Sequence, residues 1–136
     1  MRRSGAWVLL AAMALLGGCT AGGAEFAPLA ADAGKGVVYV YTLDHDMLAQ
    51  GPRILIDGRE AGKLEPLGHI AVEVAPGHHS ITTTAIVLFK QKPAEVDMAA
   101  GQSLYLRFDS FRGSLLTQMP ADIARDEIRA TRASTS

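Results

Sequence analysis

The chain has 136 residues, 13 Lys and Arg against 14 Asp and Glu, a formal net charge of −1 and a mean hydropathy of +0.16. The length suits one domain around a single core, and the charge balance excludes the basic excess of a nucleic-acid binder. Cys19 is the only cysteine, which excludes an intrachain disulfide.

Taken in chain order, the first feature is Arg2 and Arg3, followed by an apolar stretch from Trp7 to Leu16 and the small-residue tail Leu16-Gly17-Gly18-Cys19. This is the three-part layout of an export signal, expected to span residues 1–18. The apolar stretch is about half of the roughly 20 residues that a membrane-spanning helix needs. Residues 19–34, rich in Ala and Gly and without sustained periodicity, are predicted to begin with the cysteine and continue as a flexible tether. A coil of that kind would reach on the order of 20 Å.

A domain is expected over residues 35–132. Val37-Val38-Tyr39-Val40-Tyr41-Thr42 is a run of β-branched and aromatic residues and predicts the first strand. Arg53-Ile54-Leu55-Ile56 leads into Asp57-Gly58, a dipeptide suited to the φ > 0 positions of a hairpin turn, with Glu60 to Leu64 as its return arm. Residues 69–75 alternate, with Ile70, Val72 and Val74 on one side, as in a half-buried strand. Pro76-Gly77 reads as a turn, and His78 to Phe89 resumes β character. Ala94 to Met98 predicts a short strand. Ser103 to Phe108, with Leu104, Leu106 and Phe108 on one face, predicts the last. Pro120 and the acidic-then-basic segment Ala121 to Arg132 predict a short helix with Ile123, Ala124 and Ile128 as its apolar stripe. Residues 133–136 are predicted to be a disordered tail. Short strands with turn signals every eight to twelve residues predict a mostly β fold, a small antiparallel β-sandwich with a short C-terminal helix.

Two resemblances add to this reading. Leu16-Gly17-Gly18-Cys19, directly after the apolar stretch, resembles the lipobox of bacterial lipoproteins. It implies diacylglycerol on Cys19, cleavage before it, and a place in the bacterial cell envelope. Thr20 after the cysteine, rather than Asp, implies sorting to the outer membrane, facing the periplasm. The body of the chain offers Gly36-Val37-Val38-Tyr39-Val40-Tyr41, Ile54-Leu55-Ile56-Asp57-Gly58 with Gly62, Val74-Ala75-Pro76-Gly77-His78-His79 and Tyr105-Leu106-Arg107-Phe108 in that order. The series resembles an uncharacterised lipoprotein family, domain of unknown function 2846, and more distantly the PEGA-type β-sandwich domains. That family brings no established activity.

Among candidate sites, Asp44-His45-Asp46 has metal-ligand chemistry, but on an extended chain only Asp44 and Asp46 could converge. His69, His78 and His79 could supply nitrogen ligands, although the alternation of His79 with Ile81 suits an inward-facing structural residue. Ser80, Ser103, Ser110 and Ser114 lie in no nucleophile elbow, and the Gly pairs 17–18 and 22–23 lie in the signal and the tether rather than in a phosphate loop. Tyr39 and Tyr41 share one side of their strand. With Tyr105 and Arg107 they could form a binding face for carbohydrate or peptide, or simply pack under the C-terminal helix. No catalytic residue, cofactor or metal ligand is assigned. The expectation is a non-enzymatic envelope module held to the membrane through lipid on Cys19, with an envelope protein or cell-wall component as its partner and no nucleic acid. A metal-dependent or hydrolytic envelope enzyme and a purely structural lipoprotein stand as the alternatives.

Overall fold

The computed structural model describes residues 21–45, 51–84, 91–110 and 116–135. The predicted signal and Cys19 fall outside these residues, as do Asp46 and the predicted continuation of a strand to Phe89. In chain order the elements are β1 (Gly36–Thr42), β2 (Arg53–Ile56), β3 (Arg59–Lys63), β4 (Gly68–Val74), β5 (Gly77–Thr83), β6 (Ala94–Met98), β7 (Ser103–Phe108), β8 (Leu116–Met119), α1 (Ala121–Ile128) and β9 (Arg132–Ala133).

They form two sheets, ordered β8-β7-β1-β4-β9 and β3-β2-β5-β6. The fold is therefore the small β-sandwich with a C-terminal helix that the turn spacing predicts. All seven residues of β1 are buried, as a continuous apolar run requires when both faces of a strand are covered. β1 accordingly lies at the centre of its sheet, antiparallel to β4 and parallel to β7. The sandwich is not purely antiparallel as predicted: β1–β7 and β4–β9 are parallel pairs, because β7 and β9 reach the larger sheet from outside it rather than by hairpin, and the five-stranded sheet is mixed.

One apolar layer fills the space between the sheets. Val38 and Val40 of β1 and Leu104, Leu106 and Phe108 of β7 meet Ile54, Ile56, Ile81, Val96 and Met98 of the smaller sheet. The alternate residues Val37, Tyr39, Tyr41 and Tyr105 point the other way and form a second layer with Ala124 and Ile128 of α1. Phe26 and Ala31 of the N-terminal segment pack on this second layer too.

Asp57 and Gly58 adopt φ values of 51° and 80°, the two left-handed positions of the hairpin turn joining β2 to β3. Pro76-Gly77 works differently from a hairpin turn. β4 belongs to the larger sheet and β5 to the smaller one, so this corner carries the chain between sheets, with Gly77 at φ 123°. His79 consequently pairs with Val96 of β6.

The helix ends at Ile128, four residues before its predicted end. Thr131 turns its hydroxyl back to donate to the Ile128 carbonyl at 2.6 Å, which satisfies a terminal acceptor and releases the chain into β9. Ala124 and Ile128, one turn apart, face the sheet, whereas Ile123 is exposed. The predicted tether and tail both take part in the fold. Ala21 is 6% exposed, Gly23 N–H donates to the Ala133 carbonyl, and Ala133 N–H donates to the Ala24 carbonyl. Ser134 N–H closes onto the His69 carbonyl. Composition signals flexibility in such Ala- and Gly-rich segments, but a buried sheet edge with free donors and acceptors gives them backbone partners.

Candidate functional site

The four residues of the expected binding face come together, and they are covered. Tyr39 and Tyr105, on neighbouring parallel strands, stack with ring centroids 5.0 Å apart. Phe26 makes T-shaped contacts with Tyr39 and His69, ring centroids 5.4 Å and 5.5 Å apart, and Leu29 N–H donates to the Tyr39 hydroxyl at 2.8 Å. The Tyr41 hydroxyl donates to Glu127 of α1 at 2.5 Å, and Arg107 donates to Glu127 at 2.8 Å and to Asp109 at 3.1 Å. Burial, then the Glu127 carboxylate, hold the Tyr41 hydroxyl above its ordinary range, so it remains protonated and donating. Burial opposes the charge on Arg107, but Asp109 and Glu127 outweigh that effect and hold it firmly ionised. In place of an open platform, the tyrosine face is the floor of an interface closed by the helix and the N-terminal segment.

Of the four histidines, His69 is buried, His79 is largely covered on the inward face it shares with Ile81, as its alternation predicts, and His45 and His78 are exposed. His69 is buried, with Nδ1 2.8 Å from the Thr131 hydroxyl. That hydroxyl already donates to Ile128, so it accepts from the ring. Burial lowers the pKa of His69 and keeps it neutral. His79 donates from one ring nitrogen to Asp57 and from the other to the Ala75 carbonyl, both at 2.6 Å. Asp57 also accepts from Ser80 N–H at 2.9 Å. The turn carboxylate thus fastens the β2–β3 hairpin to β5. Asp57 raises the pKa of His79, and the Ser80 amide, then His79, lower that of Asp57.

On the outer face of β5 and β6, His78 bridges two carboxylates, with Asp97 at 2.9 Å and Glu95 at 2.7 Å. Asp97, then Glu95, raise its pKa. The Ser80 hydroxyl donates to the other oxygen of Glu95 at 3.1 Å. This Ser80–Glu95–His78–Asp97 row forms an open polar surface on the smaller sheet. Its order matters, because the hydroxyl meets a carboxylate and not an imidazole. Within this row no hydroxyl is paired with a nitrogen base, and both His78 nitrogens are engaged in ion pairs.

Raising the pH should test these roles. His78 and His79 have folded pKa values above the ordinary 6.5. Their contribution to stability is complete below 6.5 and is lost as pH rises through the folded values. Asp57 acts in the opposite sense, its contribution being lost as pH falls through its lowered value. Buried neutral His69 also contributes above 6.5 and less below it. In urea titrations, His79→Gln is therefore expected to shrink the loss of stability between about pH 6 and pH 8. An unchanged slope would remove His79 from this account.

Asp44 serves the backbone, accepting from Ser110 N–H at 2.8 Å while its own carbonyl accepts from Leu67 N–H. His45 is exposed beside it. Among the described residues, no three His, Cys, Asp or Glu side chains group to hold a metal ion. The sequence reading missed Glu95 and Asp97 as partners of His78. Their alternation about Val96 signals an outward face, but only the β5–β6 register brings His78 opposite Asp97 and Ser80 opposite Glu95. Glu127 was legible only as a helix residue.

A family model described as "Protein of unknown function (DUF2846)" matches residues 32–119, most of the chain. The matched region runs from just before β1 to the end of β8. The helix, β9 and the segment 21–31 that close the tyrosine face lie outside it. No curated protein matches the chain.

Proposed function

We propose that this chain, which belongs to the DUF2846 family of unknown function, is a lipid-anchored envelope module that binds a protein or cell-wall component without catalysing a reaction on it. The observation that carries the anchoring is the cysteine itself. Cys19, the only one in the sequence, follows directly on a charged and apolar leader and the tail Leu16-Gly17-Gly18. Thioether formation would consume a thiol that otherwise has no partner in an oxidising compartment. Thr20 favours the outer membrane, with the domain in the periplasm.

The binding half of the reading is supported by side-chain arrangement. The aromatic residues that could have formed an open cleft are spent on internal packing, and His78 and His79 are engaged in ion pairs. What the smaller sheet offers a partner is a fixed polar relief on β5 and β6, with His78 and Ser80 set beside Glu95 and Asp97.

In-cell crosslinking of the tagged full-length protein, followed by mass spectrometry, tests the reading. A reproducible, saturable partner that is lost in a Cys19→Ala control is the expected result. Turnover of an envelope substrate by the purified protein, abolished by changing His78 or His79, would overturn it in favour of an enzyme.

A further inference from the structure

We infer that the sandwich sits end-on against the bilayer, seated on the end that carries Ala21, Pro66, Leu67 and Thr135, with its Ser80–Glu95–His78–Asp97 row turned away from the membrane. This rests on the lipid-anchored reading of Cys19 and concerns the surface which that anchor brings to the headgroups.

Chain length limits how far the fold can stand from the anchor. Two peptide bonds join Cys19 to Ala21, so their Cα atoms are separated by at most about 8 Å. Ala21 is part of the fold: its N–H donates to the Pro66 carbonyl at 2.9 Å, and a Cβ placed on Gly68 would lie 3.1 Å from that of Ala21. Two residues later Gly23 bonds to Ala133, and Glu25 bridges to Arg132. Gly23 is close enough that a Cβ would strike the Ala133 carbonyl oxygen at 2.2 Å. The segment composition predicts as a leash is thus docked from its first described residue. A diacylglyceryl thioether holds Cys19 at the boundary of the hydrocarbon. The headgroup layer beyond it is only about 5–8 Å deep on each side. Ala21 therefore lies in or directly above that layer, and the fold around it lies there too.

Strand register identifies what surrounds Ala21. β1 ends at Thr42 beside Phe108 of β7, and β4 begins at Gly68 beside Arg132 of β9. Pro66 and Leu67 precede β4, and Asp44 accepts from Leu67 N–H through its backbone carbonyl. The carboxylates at this end are tied inward: Glu65 accepts from Thr135 N–H, Asp44 from Ser110 N–H, and Asp109 from Arg107. Among the described residues, the carboxylates named at this end are thus engaged by protein donors rather than free to meet a phospholipid surface. At the other end β5 starts at Gly77 opposite Met98, and the turn at Ala100-Gly101 leads towards β7. A seven-residue strand spans about 23 Å, which sets the scale by which that end stands clear of the lipid.

The test uses the lipidated full chain in phosphatidylethanolamine–phosphatidylglycerol vesicles. Because the lipid consumes Cys19, a single spin label can be attached through Thr135→Cys at the near end or Ala100→Cys at the far end. Relaxation by a nickel-chelating lipid is expected to be several-fold stronger at position 135 than at position 100. Ten Gly and Ser residues inserted between Thr20 and Ala21, which leave the domain intact, should abolish that contrast. Equal, weak relaxation at both positions in protein that still floats with the vesicles would overturn the seating and leave the anchor standing. Absence of lipid on Cys19 by mass spectrometry would overturn both.

Discussion

Replacing Tyr39 with Ala is expected to lower folding stability by about 3–5 kcal/mol, the range for removing a large buried aromatic side chain. The residue is 1% exposed and joins three layers. Its ring stacks on Tyr105, meets Phe26 in a T-shaped contact and lies on the face that α1 covers. Its hydroxyl accepts the Leu29 N–H, so the mutation also frees a donor in the segment that crosses the sheet. Tyr39→Phe keeps the packing and loses only that bond, with an expected cost of about 1 kcal/mol. Urea denaturation followed by circular dichroism measures both, since Trp7, the only tryptophan, precedes Cys19. If Tyr39→Ala left stability within about 0.5 kcal/mol of the parent, the range of a neutral surface change, the closed face would have to open in solution. Loss of partner capture without loss of stability would then restore it as a binding surface.

The same face shows where sequence pattern runs out. Alternation along Val37 to Tyr41 correctly separates Val38 and Val40 from Tyr39 and Tyr41, because a strand sends successive side chains to opposite faces. It cannot say what covers each face. β1 is buried throughout because long-range elements close both sides, and those elements were the weakest in the sequence. Leu116 to Met119 has no alternation strong enough to announce an edge strand, and residues 21–34 read as a tether because Ala and Gly carry little side-chain signal. Strands with β-branched runs and the Asp57-Gly58 turn were legible, since those depend on local stereochemistry. Pro76-Gly77 marks a corner in either case, but a hairpin and a crossing between sheets use the same residues. Only the distribution of hydrogen-bond partners decides between them.

Electrostatic partnerships were less legible still. Arg107 and Asp109 are near in sequence, and their pairing could be anticipated. Glu127 reaches Arg107 and Tyr41 only because α1 folds back over the sheet. The arrangement keeps a largely buried cation between two carboxylates and gives one of those carboxylates a hydroxyl donor. Removing a single member would leave charge with reduced compensation. A binding role for Arg107 would require this network to be dismantled, whereas His78, Glu95 and Asp97 can meet a partner as they stand.

Cys19→Ala is expected to move the protein from the membrane fraction to the soluble envelope fraction, or to leave it as unprocessed precursor, without unfolding the domain. Each buried CH₂ of an attached acyl chain contributes about 0.8 kcal/mol, and two chains give stable attachment where one gives only reversible binding. Loss of the thioether removes that whole contribution. Among the described residues no helix is long and apolar enough to cross a membrane. Folding should persist because the order around the entry point begins at Ala21 and depends on Pro66, Ala133 and Arg132. Fractionation of cells expressing the variant, with circular dichroism of the soluble product, measures both halves. Membrane retention with unchanged mobility on a gel would mean that the chain is held by something other than lipid on Cys19. The end-on seating would lose its premise at the same time.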